Sequence, residues 1–323
     1  MRQSPQTIAD DLKEMLCTYL ETAYRISHPA IVAERASLLR ESTTTSQVPY
    51  IETTPRYRAG RKLHDLVDVI PHLPRELPEL TQFGLPTKYP LYQHQEDALH
   101  AAWRANGRPG DLIVATGTGS GKTESFYLPI LADLLREALR WAAPKGAAQP
   151  GHWHSQSSRW LHARRHERRP AAVRALVLYP MNALVNDQLR RLRKTLASDG
   201  ALAWQQRQLH GNLLYFGRYT GQTALAGTPD NDRRRKRWRE YEGEIEAGWD
   251  AIGDDLRASG GWPRPGGPEL LCRWDMQAAP PDILVTNYSM LEYMLVRPLE
   301  ARIFDLTREW LAASRDHIFT LVL

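Results

Sequence analysis

The chain has 323 residues, 42% hydrophobic and 24% charged, a balance that excludes a wholly disordered chain, a collagen or a coiled-coil rod. No run of about 18 uninterrupted apolar residues occurs, so no transmembrane helix and no membrane partner are expected, and MRQSPQTIADDLKEML places acids where a secretory leader needs an apolar run. The net charge is +5, and Cys17 and Cys272 are the only cysteines, which excludes a disulfide framework or a cysteine-based zinc ribbon and indicates a reducing cytoplasm.

Residues 6–40 read as helix, because Ile8, Leu12, Met15, Leu16, Tyr19, Leu20 and Ala23 recur at helical spacing. Pro29 suits the first turn of a second helix that runs to Arg40. Residues 42–90 are proline-rich with few periodic runs and are expected to form an extended linker. A helix over 92–106 follows, then Asp111–Thr116 (DLIVAT), a β-branched run expected to be a buried strand, then a Gly-rich turn and a helix from Lys122 to Trp141. Further strands are expected at Ala175–Tyr179 (ALVLY), Asn212–Phe216 (NLLYF), Asp282–Thr286 (DILVT) and His317–Leu323 (HIFTLVL), with helices over Asn182–Leu196 and through Met294. Strands alternating with helices predict an α/β fold with a parallel sheet. Residues 1–87 then form a helical region with its linker, and 88–323 the α/β domain. Two insertions interrupt that domain, at about 142–170 and 222–281. In the second, Trp238, Tyr241, Ile245, Trp249, Ile252 and Leu256 predict one amphipathic helix between Thr228-Pro229 and Gly260.

TGTGSGKT, Thr116–Thr123, sits between a predicted strand and a predicted helix, the setting that a phosphate-binding loop requires. Gly117, Gly119 and Gly121 let the backbone of Gly117, Thr118, Gly119, Ser120 and Gly121 curl its N–H groups toward phosphate oxygens, and the helix that opens at Lys122, Thr123 and Glu124 adds partial positive charge. Lys122 would reach the β- and γ-phosphates and the Thr123 hydroxyl would bind Mg²⁺, which makes ATP and Mg²⁺ the expected cofactors. The strict pattern opens with Gly where this chain has Thr116. A Gly-rich turn that merely contains Lys-Thr is the alternative.

With that loop in place, the order of the remaining segments resembles the superfamily 2 helicases of DEAD/DEAH-box type, which implies a P-loop, RecA-like domain. LYQHQEDAL (Leu91–Leu99) is similar to the family's adenine-reading segment, which implies that role for Gln95, with Gln93 as competitor; a carboxamide both donates and accepts, as adenine requires. YPMNALVNDQL (Tyr179–Leu189) is similar to the segment that grips the nucleic-acid backbone. There Pro180, Leu184 and Gln188 match, while Met181 and Asn182 replace the usual Thr-Arg. GRYTG (Gly217–Gly221) resembles a turn that approaches the strand at Thr220 and Gly221. TNYSMLEYML (Thr286–Leu295) lies where the family contacts the sugar-phosphate chain, implying that role for Thr286, Asn287 and Tyr288. The wording of these motifs is similar to large bacterial helicases of phage-defence loci, of the DISARM-like kind. The resemblance covers roughly 88–323 and, more loosely, the N-terminal helices and Val48–Tyr57.

In that family the strand matching HIFTLVL delivers an Asp-Glu pair that holds Mg²⁺ and activates water. Here Leu323 is the last residue and no Asp-Glu-x-His occurs. The resemblance therefore implies the N-terminal portion of a helicase, deficient in hydrolysis by itself, with a second RecA-like domain supplied elsewhere or by a partner chain. A catalytically inactive scaffold or a split subunit is the alternative. The expected partner is nucleic acid, DNA ahead of RNA, and the expected location cytoplasmic. His152, His154, His162 and His166 lack the cysteines or acids of a zinc site. The nearby Arg159, Arg164, Arg165, Arg168 and Arg169 either contact nucleic acid or solubilise a loop. The block RRRKRWR (Arg233–Arg239) either meets phosphate or pairs with the acids that follow, and the Trp238, Tyr241, Trp249 stripe reads as a packing face.

Overall fold

A computed structural model describes residues 4–41, 43–50, 56–85, 87–103, 111–117, 119–145, 160–180 and 182–323. The chain forms two compact units, Met1–Arg56 and Tyr57–Leu323. In the first, α1 (Pro5–Ala23) and α2 (Pro29–Arg40) make an antiparallel hairpin. The Ser4 hydroxyl caps α1 by accepting from Thr7 N–H. Arg40 pairs with Glu14 and Glu21, and Lys13 donates to the Arg40 carbonyl at 2.9 Å. Only Cys17 of α1 is buried. The stripe of Ile8, Leu12, Met15, Leu16 and Tyr19 expected to pack is exposed, because α2 meets the other side of the helix.

The second unit begins differently from an extended linker. Helices α3 (Leu63–Val69) and α4 (Leu77–Thr81) lie within the proline-rich stretch, with prolines at their ends. Leu63, Leu66, Leu77 and Leu80 have no exposed surface and belong to the main core. Proline here punctuates short helices.

The remaining elements run α5 (Gln93–Ala102), α6 (Lys122–Ala138), β1 (Ala175–Tyr179), α7 (Asn182–Ala197), α8 (Asp199–Gln208), β2 (Phe216–Tyr219), α9 (Asp232–Ala251), α10 (Asp254–Ala258), β3 (Glu269–Leu270), α11 (Arg273–Ala278), β4 (Ile283–Asn287), α12 (Tyr288–Val296), α13 (Ala301–Ala313) and β5 (Thr320–Val322). The five strands form one all-parallel, RecA-like sheet in the order β3-β2-β4-β1-β5. Val177 lies opposite Val285 and Val322, and Gly217 opposite Leu284. Alternate residues of each strand serve opposite faces. Ala175, Val177, Ile283 and Val285 join Leu128, Leu131, Val185 and Leu189 of α6 and α7, while Leu176, Leu178 and Leu284 join Met290, Met294 and Ile303 of α12 and α13. Covering both faces with helices is why the strands read as unbroken apolar runs.

Three expectations fail here, the first being the strand at Asn212–Phe216, of which only Phe216 belongs to a strand because β2 runs Phe216–Tyr219. Asp111–Thr116 is not a strand: residues 111–117 join no ladder, and Ile113 is 92% exposed. Apolar, β-branched composition makes a segment competent for a sheet, but a strand exists only where a neighbour takes its N–H and C=O groups. The second insertion also does more than hold one helix. It contributes the edge strand β3, and α9 is capped by Asn231 rather than Thr228 and stops at Ala251, ahead of Gly260.

Below the strands, Asp282 is completely buried and accepts from Arg169 at 2.6 and 2.7 Å, from Arg174 at 2.9 Å and from Tyr215 N–H at 2.8 Å. Glu167 and Glu137 neutralise the same guanidiniums from outside. The described end of the first insertion is thereby locked to the sheet.

Candidate functional site

The phosphate-loop segment leads into α6 with Gly119 at φ +77° and Gly121 at φ +78°. Nothing lies within 4 Å of where a Gly119 Cβ would stand. Gly121 is the N-cap of α6 and offers no side chain, so the first helical N–H groups have no side-chain cap. Left-handed glycines before an uncapped helix N-terminus make a concave set of donors that fits a polyphosphate. Lys122 is exposed and its Nζ donates to the Thr116 carbonyl at 2.8 Å, while Ser120 is buried with its hydroxyl 2.6 Å from that of Thr116. Thr123 is half-buried at the first turn and Thr118 lies outside the described residues.

Gln95 is buried and both ends of its carboxamide are occupied. Its Oε1 accepts Tyr92 N–H at 2.9 Å, closing a capping box on α5, and its Nε2 donates to the Gly121 carbonyl at 2.9 Å. The residue expected to read adenine therefore ties α5 to the loop. Gln93 is half-buried and donates to Asp97 at 2.9 Å. Beside the loop stand three rings absent from the sequence-derived site: Tyr57, Tyr92 and His94, with centroids 5.3–5.7 Å apart. The Tyr57 hydroxyl lies 3.0 Å from a Cβ built on Gly117, and a His94 ring nitrogen is 2.9 Å from the Ser120 carbonyl. No spacing rule singles these rings out, since Tyr57 is brought in from a segment far upstream.

Glu124, at the first turn of α6, is also buried, and its Oε1 accepts from Arg191 of α7. Arg191 in turn reaches Asp187 at 3.4 Å. This ion pair joins the first turn of α6 to the helix that leaves β1, a link that the sequence motif does not announce.

The strand-gripping candidates gather at one end of the sheet, because each lies at or just beyond the C-terminal end of a parallel strand: Pro180 and Asn182 after β1, Thr220 and Gly221 after β2, Thr286 and Asn287 at the end of β4 with Tyr288 after it. Parallel α/β sheets bind ligands at this end. Their accessibility separates them. Pro180, Gly221 and Tyr288 are exposed. Gln188 is buried on the inner side of α7 with Val185, Leu189 and Leu192. Thr220 is wholly buried: its N–H donates to the Thr223 hydroxyl at 2.9 Å and its carbonyl accepts from Arg273 at 3.0 Å. Thr286 is likewise buried and donates to the Tyr219 carbonyl at 2.5 Å, fastening the GRYTG turn to β4. Asn287 caps α12 by accepting Met290 N–H at 2.8 Å. Met181 and the side chain of Asn182 lie outside the described residues.

Tyr219 makes the same turn rigid from below. Its hydroxyl donates to Glu300 at 2.7 Å and accepts from Gln277 at 2.9 Å, and burial pushes its pKa well up. The Arg-rich segments part company. Arg164 and Arg169 are buried counter-ions, neither solvated nor free for phosphate, whereas Arg165 and Arg168 are exposed. His162 and His166 are partly buried, which lowers their pKa, and His152, His154 and Arg159 lie outside the described residues. In RRRKRWR, Arg234 pairs with Asp230, Arg235 with Asp232 and Lys236 with Glu240, while Arg233, Arg237 and Arg239 are exposed. Trp238 is 1% exposed and packs with Trp274, as a packing face requires.

Comparison with known proteins agrees with this arrangement. Residues 92–232 match the DEAD/DEAH box helicase family. Over 97% of its length the chain is 34% identical to Druantia protein DruE of Escherichia coli (strain UMEA 4076-1), and it covers 18% of that protein. The resemblance drawn from the motifs is borne out by both matches. Among the described residues, no helix is long and apolar enough to cross a membrane.

Proposed function

We propose that the chain is the ATP- and nucleic-acid-binding portion of a DEAD/DEAH box helicase that acts on DNA rather than RNA, in the cytoplasm, in phage defence or DNA processing. What carries this reading is the phosphate loop: two left-handed glycines ahead of an uncapped helix, joined through Glu124 and Arg191 to the helix that follows β1. The defence role rests on the motif wording and on the similarity to Druantia protein DruE.

The N–H groups of Gly117, Thr118, Gly119, Ser120 and Gly121 and the start of α6 would hold phosphates, Lys122 would balance their charge, and the Thr123 hydroxyl would hold Mg²⁺. ATP with Mg²⁺ supplies, when bound, the free energy of phosphoryl transfer. Tyr57, Tyr92 and His94 offer ring faces to a base, and Gln95 keeps the loop in register through Gly121. Gly221, Tyr288 and the helix N-terminal amides of α7 and α12 would grip the sugar-phosphate chain, since such contacts position a strand without reading its sequence. The Glu124–Arg191 pair would turn a shift of the loop into a shift of α7.

No Asp-Glu-x-His lies within these 323 residues, so a polypeptide of residues 1–323 is expected to bind ATP while turning it over slowly. The acids and the second RecA-like domain would come from elsewhere, in the same polypeptide or in a partner. Calorimetry with ATP and Mg²⁺ tests the reading: Lys122→Ala should lose binding, and equal affinity in the two proteins would overturn it. Several turnovers per second by residues 1–323 would overturn the hydrolysis statement alone.

A further inference from the structure

We propose that the cleft between α7, the end of β2 and the 222–281 insertion is a second recognition site, for a phosphate carrying a planar base. This rests on the nucleic-acid-binding reading for its source, a nucleotide turned out of the bound strand.

The cleft holds about 340 Å³ and is walled by Asn186, Arg190, Arg193, Arg218, Tyr241 and Trp262. That volume lies within the range of about 300–1,000 Å³ typical of small-ligand sites. Its charge is not balanced. Arg193 is held by both oxygens of Glu269, at 2.6 and 2.8 Å, and Glu269 is the one acid among the lining residues. Among the described residues Arg218 donates to neutral carboxamides, Asn186 at 2.7 Å and Gln222 at 3.3 Å, and to no carboxylate. Arg190 is exposed and enters none of the ion pairs among the described residues. Three guanidiniums against one carboxylate favour an anion, and a guanidinium fork suits phosphate.

The opposite wall supplies rings. Burial pushes the Tyr241 phenol up to about 12, so it stays neutral. The Trp262 indole is half-exposed and fixed by its Nε1 donating to the Ile245 carbonyl at 3.0 Å. A Cβ on Gly248 would fall 2.4 Å from that indole, so the nitrogen-bearing edge of the ring rests against the backbone of α9. Immobile rings facing arginines are the means by which proteins take up a base with its phosphate. An acidic peptide would use the arginines and leave the rings idle.

The cleft is built, and it adjoins the strand path. Gly260, at φ +70°, brings the insertion so close to α7 that a Cβ there would stand 2.6 Å from the Arg190 carbonyl, and Arg193 donates to the Gly260 carbonyl at 3.3 Å. Arg218 belongs to the GRYTG turn that ends at Gly221, and Asn186 lies one turn beyond the start of α7.

The test uses the full-length protein, a fluorescein-labelled dT20 strand and free dTMP. Arg190→Ala should weaken dT20 about tenfold and make the salt dependence shallower by about 0.7 in log–log slope, one phosphate contact on a single strand. Trp262→Ala should weaken it about tenfold with the slope unchanged, and Trp262→Phe, which keeps a stacking face and the packing, should restore most of the loss. Wild-type affinity for both probes in Arg190→Ala and Trp262→Ala overturns the proposal. Weakened dTMP with unchanged dT20 supports the site and assigns it to free nucleotides. Tyr288→Ala, outside the cleft, separates the two readings: if wild type and Tyr288→Ala both fail to bind dT20, strand binding fails, while the dTMP arm still decides the cleft.

Discussion

Asp282→Asn should lower the thermal midpoint of the protein by about 6–12 °C at pH 7. The carboxylate has no exposed surface and receives four hydrogen bonds, three of them from guanidiniums. Asparagine keeps the shape but removes the charge and turns an NH₂ toward donors. Removing one partner of a buried ion pair costs about 3–5 kcal/mol. Here Glu167 still reaches Arg169 at 3.0 Å and Glu137 still reaches Arg174 at 2.5 Å, which places the cost near the lower end, about 3 kcal/mol. At about 2–4 °C per kcal/mol for a domain of this size, the stated shift follows. Burial alone would raise the Asp282 pKa. Arg169, Arg164 and Arg174 outweigh it and hold the carboxyl well below the usual carboxylate range. A depressed carboxyl stabilises above its unfolded value of about 3.9 and loses that contribution as pH falls through its folded value. The gap between wild type and variant should therefore stay constant from pH 8 to 5 and close only in stronger acid. Thermal scans by circular dichroism at several pH values read both quantities. A midpoint within about 2 °C of wild type at pH 7 would refute the reasoning, since it would mean that the arginines do not depend on this acid.

Glu124→Gln and Arg191→Met should each reduce, several-fold, the gain in ATP affinity that a dT20 strand confers, and the double variant should add little; a gain unchanged in all three would show that the pair does not couple loop and strand. Burial, with Asp275 and Glu246 nearby, raises the Glu242 pKa to about 8, so folding should weaken as pH climbs from 5 to 8 through the window where the unfolded carboxyl is ionised and the folded one is not; Glu242→Gln should flatten that slope in pH-dependent melts, and a slope identical to wild type would exclude Glu242 as its source. Gly260→Ala should cost about 1–3 kcal/mol in urea unfolding, from the positive φ and the 2.6 Å approach to the Arg190 carbonyl, whereas Gly243→Ala, where a Cβ meets nothing, should stabilise α9 slightly.

The sheet was legible where strands are buried on both faces. ALVLY reads as a strand from composition alone, and β1 is those five residues. Pairing was the part that composition could not supply. DLIVAT has the same character as ALVLY but no ladder partner, and the two-residue β3 has no strand signature yet is recruited by β2 through Phe216 and Gly217. Helices in the proline-rich stretch were missed because leucines at Leu63, Leu66, Leu77 and Leu80 span segments too short for a period to emerge. The glycine-rich segment Thr116–Thr123 stood out as a pattern of residue types, since glycine, lysine and threonine are what a phosphate loop requires for backbone and charge reasons that do not depend on the surroundings.

The same argument explains why arginine was the least legible residue in this chain. A guanidinium is selected for its fork of donors, and a buried carboxylate satisfies that fork as well as a phosphate does. Arg164 and Arg169 sit in a segment that reads as polar loop, yet they are buried because Glu167 takes the charge of Arg164 and Asp282, more than a hundred residues downstream, that of Arg169. Arg190 and Arg218 lie in segments that read as helix surface and turn, and the acids that could have neutralised them are spent elsewhere: Glu269 on Arg193, Asp187 on Arg191. What distinguishes a structural arginine from one left for a ligand is therefore the allocation of acids across the fold. Allocation of this kind follows tertiary contact and leaves no periodic trace in the sequence. It predicts that Glu269→Gln, by releasing Arg193 into the cleft, should tighten dT20 binding and steepen its salt dependence even as it destabilises the β2–β3 edge. Weaker strand binding with an unchanged slope would show that the acid serves the cleft by shaping it and not by setting its charge.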